Sequence, residues 1–96
     1  MILEAVILNV IPSQTEAFET NFRLASEFIT KAKGYITHEL QKCMEVENKY
    51  LLLIKWETLE DHTIGFRNSA EYLEWKKLLH HFYDPHPIVG HFTKVY

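Results

Sequence analysis

Four segments of the chain are rich in Ile, Val, Leu and aromatic residues, which predicts β-strands. Pro12 ends the first segment, and residues 46–49 predict a hairpin turn in which Asn48 can take a positive φ. The first and third segments are apolar at nearly every position instead of alternating, so both faces of these strands should be buried. The predicted strands are Ile2 to Ile11, Tyr35 to Glu45, Tyr50 to Trp56 and Ile88 to Tyr96.

A first helix is predicted between the first two strands. Ser13 and Glu16 have the spacing of a capping box, in which each side chain bonds the other residue's backbone N–H group. The helix should continue to about Lys33, where Gly34 can supply a left-handed cap. Apolar residues recur at intervals of three and four on its buried face, which comprises Phe18, Phe22, Ala25, Ile29 and Ala32.

The second helical region, between the third and fourth strands, is predicted to be broken in two. Thr58 is placed to cap a short helix from Leu59 to Arg67. Asn68 or Ser69 can cap a second segment, which runs to about His81. Two prolines follow shortly afterwards and stop the helix.

The element order β-α-β-β-α-β indicates a ferredoxin-like α+β fold, with an antiparallel four-stranded sheet and helices on one face. Two helices cover only one face of such a sheet, yet the first and third strands are apolar on both faces. A second copy of the chain is the simplest cover for the other face. We therefore expect a homodimer, since an exposed patch of that size would promote aggregation.

Composition narrows the classes of function. The 96 residues suffice for one domain, 1–96, and are too few for two independent cores. The formal charge of −3 argues against a nucleic-acid partner, because such binding needs a basic face. The single cysteine, Cys43, cannot form an internal disulfide, and no segment reaches the roughly 20 apolar residues of a membrane span. We therefore expect a cytoplasmic protein with no membrane partner.

His62 is the histidine that the pattern singles out. It forms a stripe at helical spacing with Leu59, Thr63 and Phe66, and this stripe should face the core. A buried imidazole can be structural and bond a backbone carbonyl. It can also act as an acid or base in a pocket, because it titrates near neutral pH. Gly65 destabilises a helix, which suggests that a neighbouring group packs closely there.

Other side chains around the helix break also allow two interpretations. Tyr72 and Trp75 lie on the stripe that faces the sheet, so they are either core residues or pocket residues with polar tips. Arg67 can bind a substrate anion or cap the carbonyls of the helix that it ends. His91 shares a strand face with Val89, but alternation alone does not say which face that is.

The six histidines raise the question of a metal site, but their spacing matches no established ligand motif. The sequence also contains no Gly-rich phosphate loop, no dinucleotide fingerprint and no nucleophile motif. We therefore expect neither a metal nor a cofactor. The four clustered histidines concerned are His80, His81, His86 and His91.

The second half of the chain carries a recognisable pattern: Trp56 to Ser69, then Tyr72 and Trp75, then Pro87 to Phe92. It consists of a Trp, an acidic stretch, a His, Phe-Arg, a Ser, a Tyr and a Trp, followed by Pro, Val, His and an aromatic residue. With the element order, this pattern resembles the antibiotic biosynthesis monooxygenase (ABM) family over essentially the whole chain. The resemblance implies a dimeric α+β barrel in which two sheets pack face to face.

The activity that the resemblance implies differs between members. Some are cofactor-free monooxygenases of polycyclic phenols, in which a protein base helps to form a carbanion that reacts directly with dioxygen. Others degrade haem with a His, Asn and Trp set, and still others handle small signalling carbonyls. This chain departs from the haem set, since Val6 stands about where the Asn would be and Trp75 or Lys76 about where the His would be.

Two functions remain open. One is a cofactor-independent monooxygenase that acts on a small aromatic, phenolic or enolisable compound, with His62 as the catalytic residue. The alternative is a non-catalytic dimeric module of the same fold that binds a small molecule or acts in stress. In the enzyme, the predicted substrate-binding residues are Phe66, Arg67, Tyr72, Trp75 and His91.

Overall fold

The computed structural model describes residues 1–96 and has four strands and two α-helices. The strands are β1 (Ile2–Asn9), β2 (Tyr35–Lys42), β3 (Lys49–Trp56) and β4 (Val89–Phe92), and the helices are α1 (Thr15–Ile29) and α2 (Ala70–Leu79). The strands form one antiparallel sheet in the order β2-β3-β1-β4. This order confirms the predicted ferredoxin-like fold. None of the helices is long and apolar enough to cross a membrane.

The hydrophobic core lies between the helices and one face of the sheet. Even-numbered residues of β1 and β3 are buried on this face, and the register pairs Val6 with Leu52. The odd-numbered residues point to the other face, which no element of the chain covers. The buried members of the core from the two central strands are Val6, Leu8, Tyr50, Leu52, Ile54 and Trp56.

Several predicted boundaries and caps in the first half are wrong. Gln14, and not Ser13, is the N-cap of α1, because Ser13 itself takes a φ of 75° and its side chain makes no capping bond. The helix ends at Ile29, and a turn leads to Gly34, whose predicted left-handed φ is confirmed at 82°. Asn48 does not take a positive φ; its side-chain amide instead donates to the carbonyl of Val10.

The second helical region is broken, as predicted, but its first part is not an α-helix. It contains a π-helical turn, Asp61–Gly65, followed by a short 3₁₀ turn, Phe66–Asn68. Both predicted caps are confirmed: the Thr58 hydroxyl accepts from the backbone N–H of Asp61, and that of Ser69 from the N–H of Tyr72.

The last strand is shorter than predicted. β4 ends at Phe92, and residues 93–96 have no regular structure. Phe92 already pairs with Leu3, so only Ile2 of β1 is left for the chain beyond it to pair with.

Candidate functional site

A cavity of about 420 Å³ lies between the sheet and the second helical region. Apolar side chains form about half of its wall, among them Val6 and Leu52 from the sheet and Trp75 from α2. A pocket with an apolar wall and a few convergent polar groups is the usual form of a small-molecule site. The polar lining residues are Glu4, His62, Arg67, Tyr72, His80, Tyr83 and His86.

Four of the five predicted substrate-binding residues line this cavity. Phe66 and Trp75 are buried, Tyr72 is half-buried, and Arg67 is exposed on its outer side. His91 is exposed and does not line the cavity. It lies directly behind the cavity wall instead, where its Nε2 is 2.8 Å from Nδ1 of His62.

His62, the predicted catalytic residue, lines the cavity and is only 4% exposed. It lies in the π-helical turn, in which the backbone N–H of Phe66 bonds the carbonyl of Asp61, five residues earlier. Such turns are rare and occur frequently at functional sites. The imidazole stacks on the ring of Trp56, with 5.4 Å between the ring centroids. This packing fixes the plane of the imidazole ring.

Glu4 is a site residue that the sequence reasoning missed. It occupies an even position of β1, so it faces the helices with Val6, and it is 5% exposed. Its Oε1 accepts a hydrogen bond from Nε1 of Trp56 at 2.9 Å and lies 3.3 Å from Nε2 of His62. A lone carboxylate on the buried face of an apolar strand was the signal that could have revealed it.

The ionisation of Glu4 and His62 is shifted by their environment. Burial raises the pKa of Glu4 to about 7, although the Trp56 hydrogen bond and the Arg67 guanidinium act in the opposite direction. Burial, together with the positive charges of Arg67 and of His91, lowers the pKa of His62 to about 4. Near neutral pH the site therefore holds a neutral imidazole beside a carboxyl group that is close to its own midpoint.

A second cluster of polar side chains at the cavity was also not predicted from the sequence. His80, Tyr83 and His86 line it, and the ring centroids of the two histidines are 5.5 Å apart. Burial, followed by the charges of His86 and Lys76, lowers the pKa of His80 to about 4. Burial also raises the pKa of Tyr83, and Glu4 adds to this shift, so Tyr83 remains a neutral phenol. From their positions in the sequence, these two histidines raised only the question of a metal site. In the structure, no three His, Cys, Asp or Glu side chains are arranged to hold a metal ion.

Known proteins resemble this chain in both sequence and fold. The uncharacterised protein YczJ of Bacillus subtilis (strain 168) is 57% identical over 95 residues, which cover 99% of this chain and all of YczJ. A crystal structure from Bordetella bronchiseptica, assigned to the antibiotic biosynthesis monooxygenases, superposes with a TM-score of 0.94 at 32% identity, covering 99% of this chain and 97% of that one.

A more distant structure shares the fold alone. It is SnoaB, a cofactor-independent oxygenase from Streptomyces nogalater, with a TM-score of 0.79 at 18% identity over 99% of this chain and 94% of SnoaB. The sequence model of the family described as "antibiotic biosynthesis monooxygenase" matches residues 1–78, most of the present chain. The chain therefore belongs to the antibiotic biosynthesis monooxygenase family.

Proposed function

We propose that the chain is a cytoplasmic, cofactor-independent monooxygenase that oxygenates a small phenolic or otherwise enolisable compound. The observation that carries this proposal is the buried pair of Glu4 and His62 at the wall of a cavity with both apolar and polar lining residues. The fold shared with SnoaB, a cofactor-independent oxygenase, supports the same activity.

The first step is removal of a proton from the substrate. A general base works best when its pKa lies near the working pH. Glu4 meets this condition, since burial raises its pKa to about 7, and the neutral His62 beside it can receive the proton in turn. The catalytic role predicted for His62 thus becomes a role shared with Glu4.

The remaining lining side chains suit an aromatic anion. Phe66 and Trp75 offer apolar ring surfaces, and Tyr72 adds a phenol group. The guanidinium of Arg67 brings a positive charge to the wall, which stabilises the anion as it forms. The carbanion then reacts with dioxygen: a CH₂ group becomes C=O, one oxygen atom enters the product, and the other leaves as water. The substrate supplies all the electrons.

We also propose that the working form is a homodimer. On the face of the sheet away from the helices, the middle of the two central strands is apolar and includes Leu3, Ala5, Leu51 and Leu53. Phe92 extends this face on β4 and is 56% exposed. A second copy, packed sheet to sheet, would remove these side chains from water, as the family resemblance implies.

Oxygen consumption by metal-free protein, with a panel of anthrones and quinols, tests the activity. We expect turnover by the wild type and a loss on the order of 10²-fold in His62→Ala and in Glu4→Gln, since each removes a group that handles the proton. His81→Ala is the matched control, because His81 is exposed and does not line the cavity. It should turn over like the wild type.

Two results would contradict the proposal. Equal turnover by the wild type and His62→Ala would remove His62 from the mechanism. Binding of panel compounds, seen as a raised melting temperature, without turnover of any of them would favour the non-catalytic binding module instead.

A further inference from the structure

We propose that Glu4, His62 and His91 form a proton relay through which the buried Glu4 exchanges its proton with solvent. The inference rests on the proposed function and extends it to His91, which does not line the cavity. Three contacts define the relay: Trp56 Nε1 to Glu4 Oε1 at 2.9 Å, Glu4 Oε1 to His62 Nε2 at 3.3 Å, and His62 Nδ1 to His91 Nε2 at 2.8 Å.

When Glu4 is ionised, the direction of each hydrogen bond follows from whether its two atoms can donate or only accept. The indole N–H of Trp56 can only donate, so Oε1 of Glu4 accepts it. The carboxylate can accept a second hydrogen from His62 Nε2, which leaves Nδ1 of a neutral His62 without a proton. That nitrogen must then accept from Nε2–H of His91. In this state both imidazoles are protonated on Nε2.

Protonation of Glu4 from solvent reverses the chain: water gives a proton to Nδ1 of His91, the Nε2 proton of His91 passes to Nδ1 of His62, and the Nε2 proton of His62 passes to Glu4. The carboxyl O–H donates to His62 Nε2, His62 donates from Nδ1, and His91 accepts on Nε2 and carries its proton on Nδ1. Three transfers then restore the first state. The Glu4 proton passes to His62 Nε2, the Nδ1 proton of His62 passes to His91 Nε2, and the Nδ1 proton of His91 leaves to water. The relay therefore moves one proton from Glu4 to solvent, or, in reverse, one proton from solvent to Glu4.

His91 is the member of the relay that can exchange a proton with bulk water. Glu4 and His62 are 5% and 4% exposed, so neither delivers its proton to bulk water directly, whereas His91 is exposed on β4. The register pairs His91 with Glu4 across the two strands, which fixes the relay by backbone hydrogen bonds. The charged or titratable groups that face it are Arg67, which acts on all three members, and Tyr83, whose own pKa is raised by Glu4.

Nitrogen-15 NMR of the histidine side chains tests the relay without any substrate. The resonances distinguish a protonated ring nitrogen from an unprotonated one, so they report the tautomer of His62 and His91. On titration from about pH 5 to about pH 9, we expect both residues to change from Nδ1–H to Nε2–H together, with a midpoint near the Glu4 pKa of about 7. Glu4→Gln cannot ionise and should abolish the change, whereas His81→Gln should leave it intact.

A tautomer of His62 that stays constant over this range, or a change that persists in Glu4→Gln, would overturn the relay. This readout does not depend on turnover, so its failure is distinct from failure of the proposed oxygenase. If the oxygenase activity is found, His91→Gln should slow the rise to full turnover after a jump from about pH 5 to about pH 8, because Glu4 must first lose its proton to solvent, and added imidazole should restore the wild-type rate. A defect that imidazole does not relieve would assign His91 a structural role instead.

Discussion

Among single residues, Glu4 should make the stability of the protein depend on pH. Its pKa rises from 4.5 to about 7 on folding, so between these values the folded protein binds more protons than the unfolded chain. The stability that this group contributes is fully present below about pH 4.5 and is lost as the pH rises through about 7. His62 acts in the opposite direction between about pH 4 and pH 6.5, because burial lowers its pKa.

Glu4→Gln should remove the loss of folding stability that the ionisation of Glu4 causes as the pH rises. Relative to the wild type, its free energy of unfolding should rise by on the order of 3 kcal/mol between about pH 5 and about pH 8. Urea unfolding of both proteins at several pH values measures this difference. Glu57→Gln, at an exposed carboxylate, is the control and should follow the wild type. A difference between Glu4→Gln and the wild type that does not change with pH would contradict the shifted pKa.

Local spacing predicted some site residues and missed others. Trp75 and Phe66 fall on helical stripes, and a stripe is readable from the sequence because its period is local. Glu4 was missed because its strand was read as apolar on both faces, although a period of two puts it with the buried Val6. The partner of His91 could not be predicted, since it depends on β4 pairing with β1, more than 80 residues away in the chain.

At the scale of elements, the π-helical turn is the feature that the sequence analysis misread. Gly65 was expected to mark a close approach, but a Cβ atom there would meet only the carbonyl of Glu60, at 3.8 Å. The close approach is at Gly34 instead, where a Cβ atom would overlap the carboxylate of Asp61, the first residue of the turn. Gly34 therefore lets the loop before β2 pack against the turn that carries His62.

Two alanine substitutions should have opposite effects on stability. Gly65→Ala should raise the free energy of unfolding by about 0.5–1 kcal/mol, because the residue is exposed, helical in φ and free of steric conflict. Gly34→Ala should lower it by more than about 1 kcal/mol, since its φ is 82° and the methyl group has no room. Denaturant unfolding measures both changes, and a destabilised Gly65→Ala would restore the close approach first expected there.

At the scale of the whole molecule, one face of the sheet carries the candidate site and the other is the proposed dimer interface. The helix-facing side carries Glu4 and the cavity, while the opposite side carries Ala5 and Leu53, which face each other across β1 and β3. The element order in the sequence predicts that helices cover only one face, and the structure confirms this. Dimerisation through the second face can therefore be tested without disturbing the cavity.

Light scattering at micromolar concentration should give about twice the chain mass of 11.4 kDa. Leu53→Glu places a charge at the centre of the uncovered face and should yield the monomer, because obligate interfaces of this kind bury more than about 2,000 Å² of largely apolar surface. Phe92→Glu, at a residue already exposed in the single chain, tests the same face without disturbing its own core.

Leu73→Glu, on the exposed side of α2, is the matched control and should remain dimeric. A wild-type mass near 11.4 kDa would refute the dimer, and dissociation by Leu73→Glu alone would move the interface to the helices.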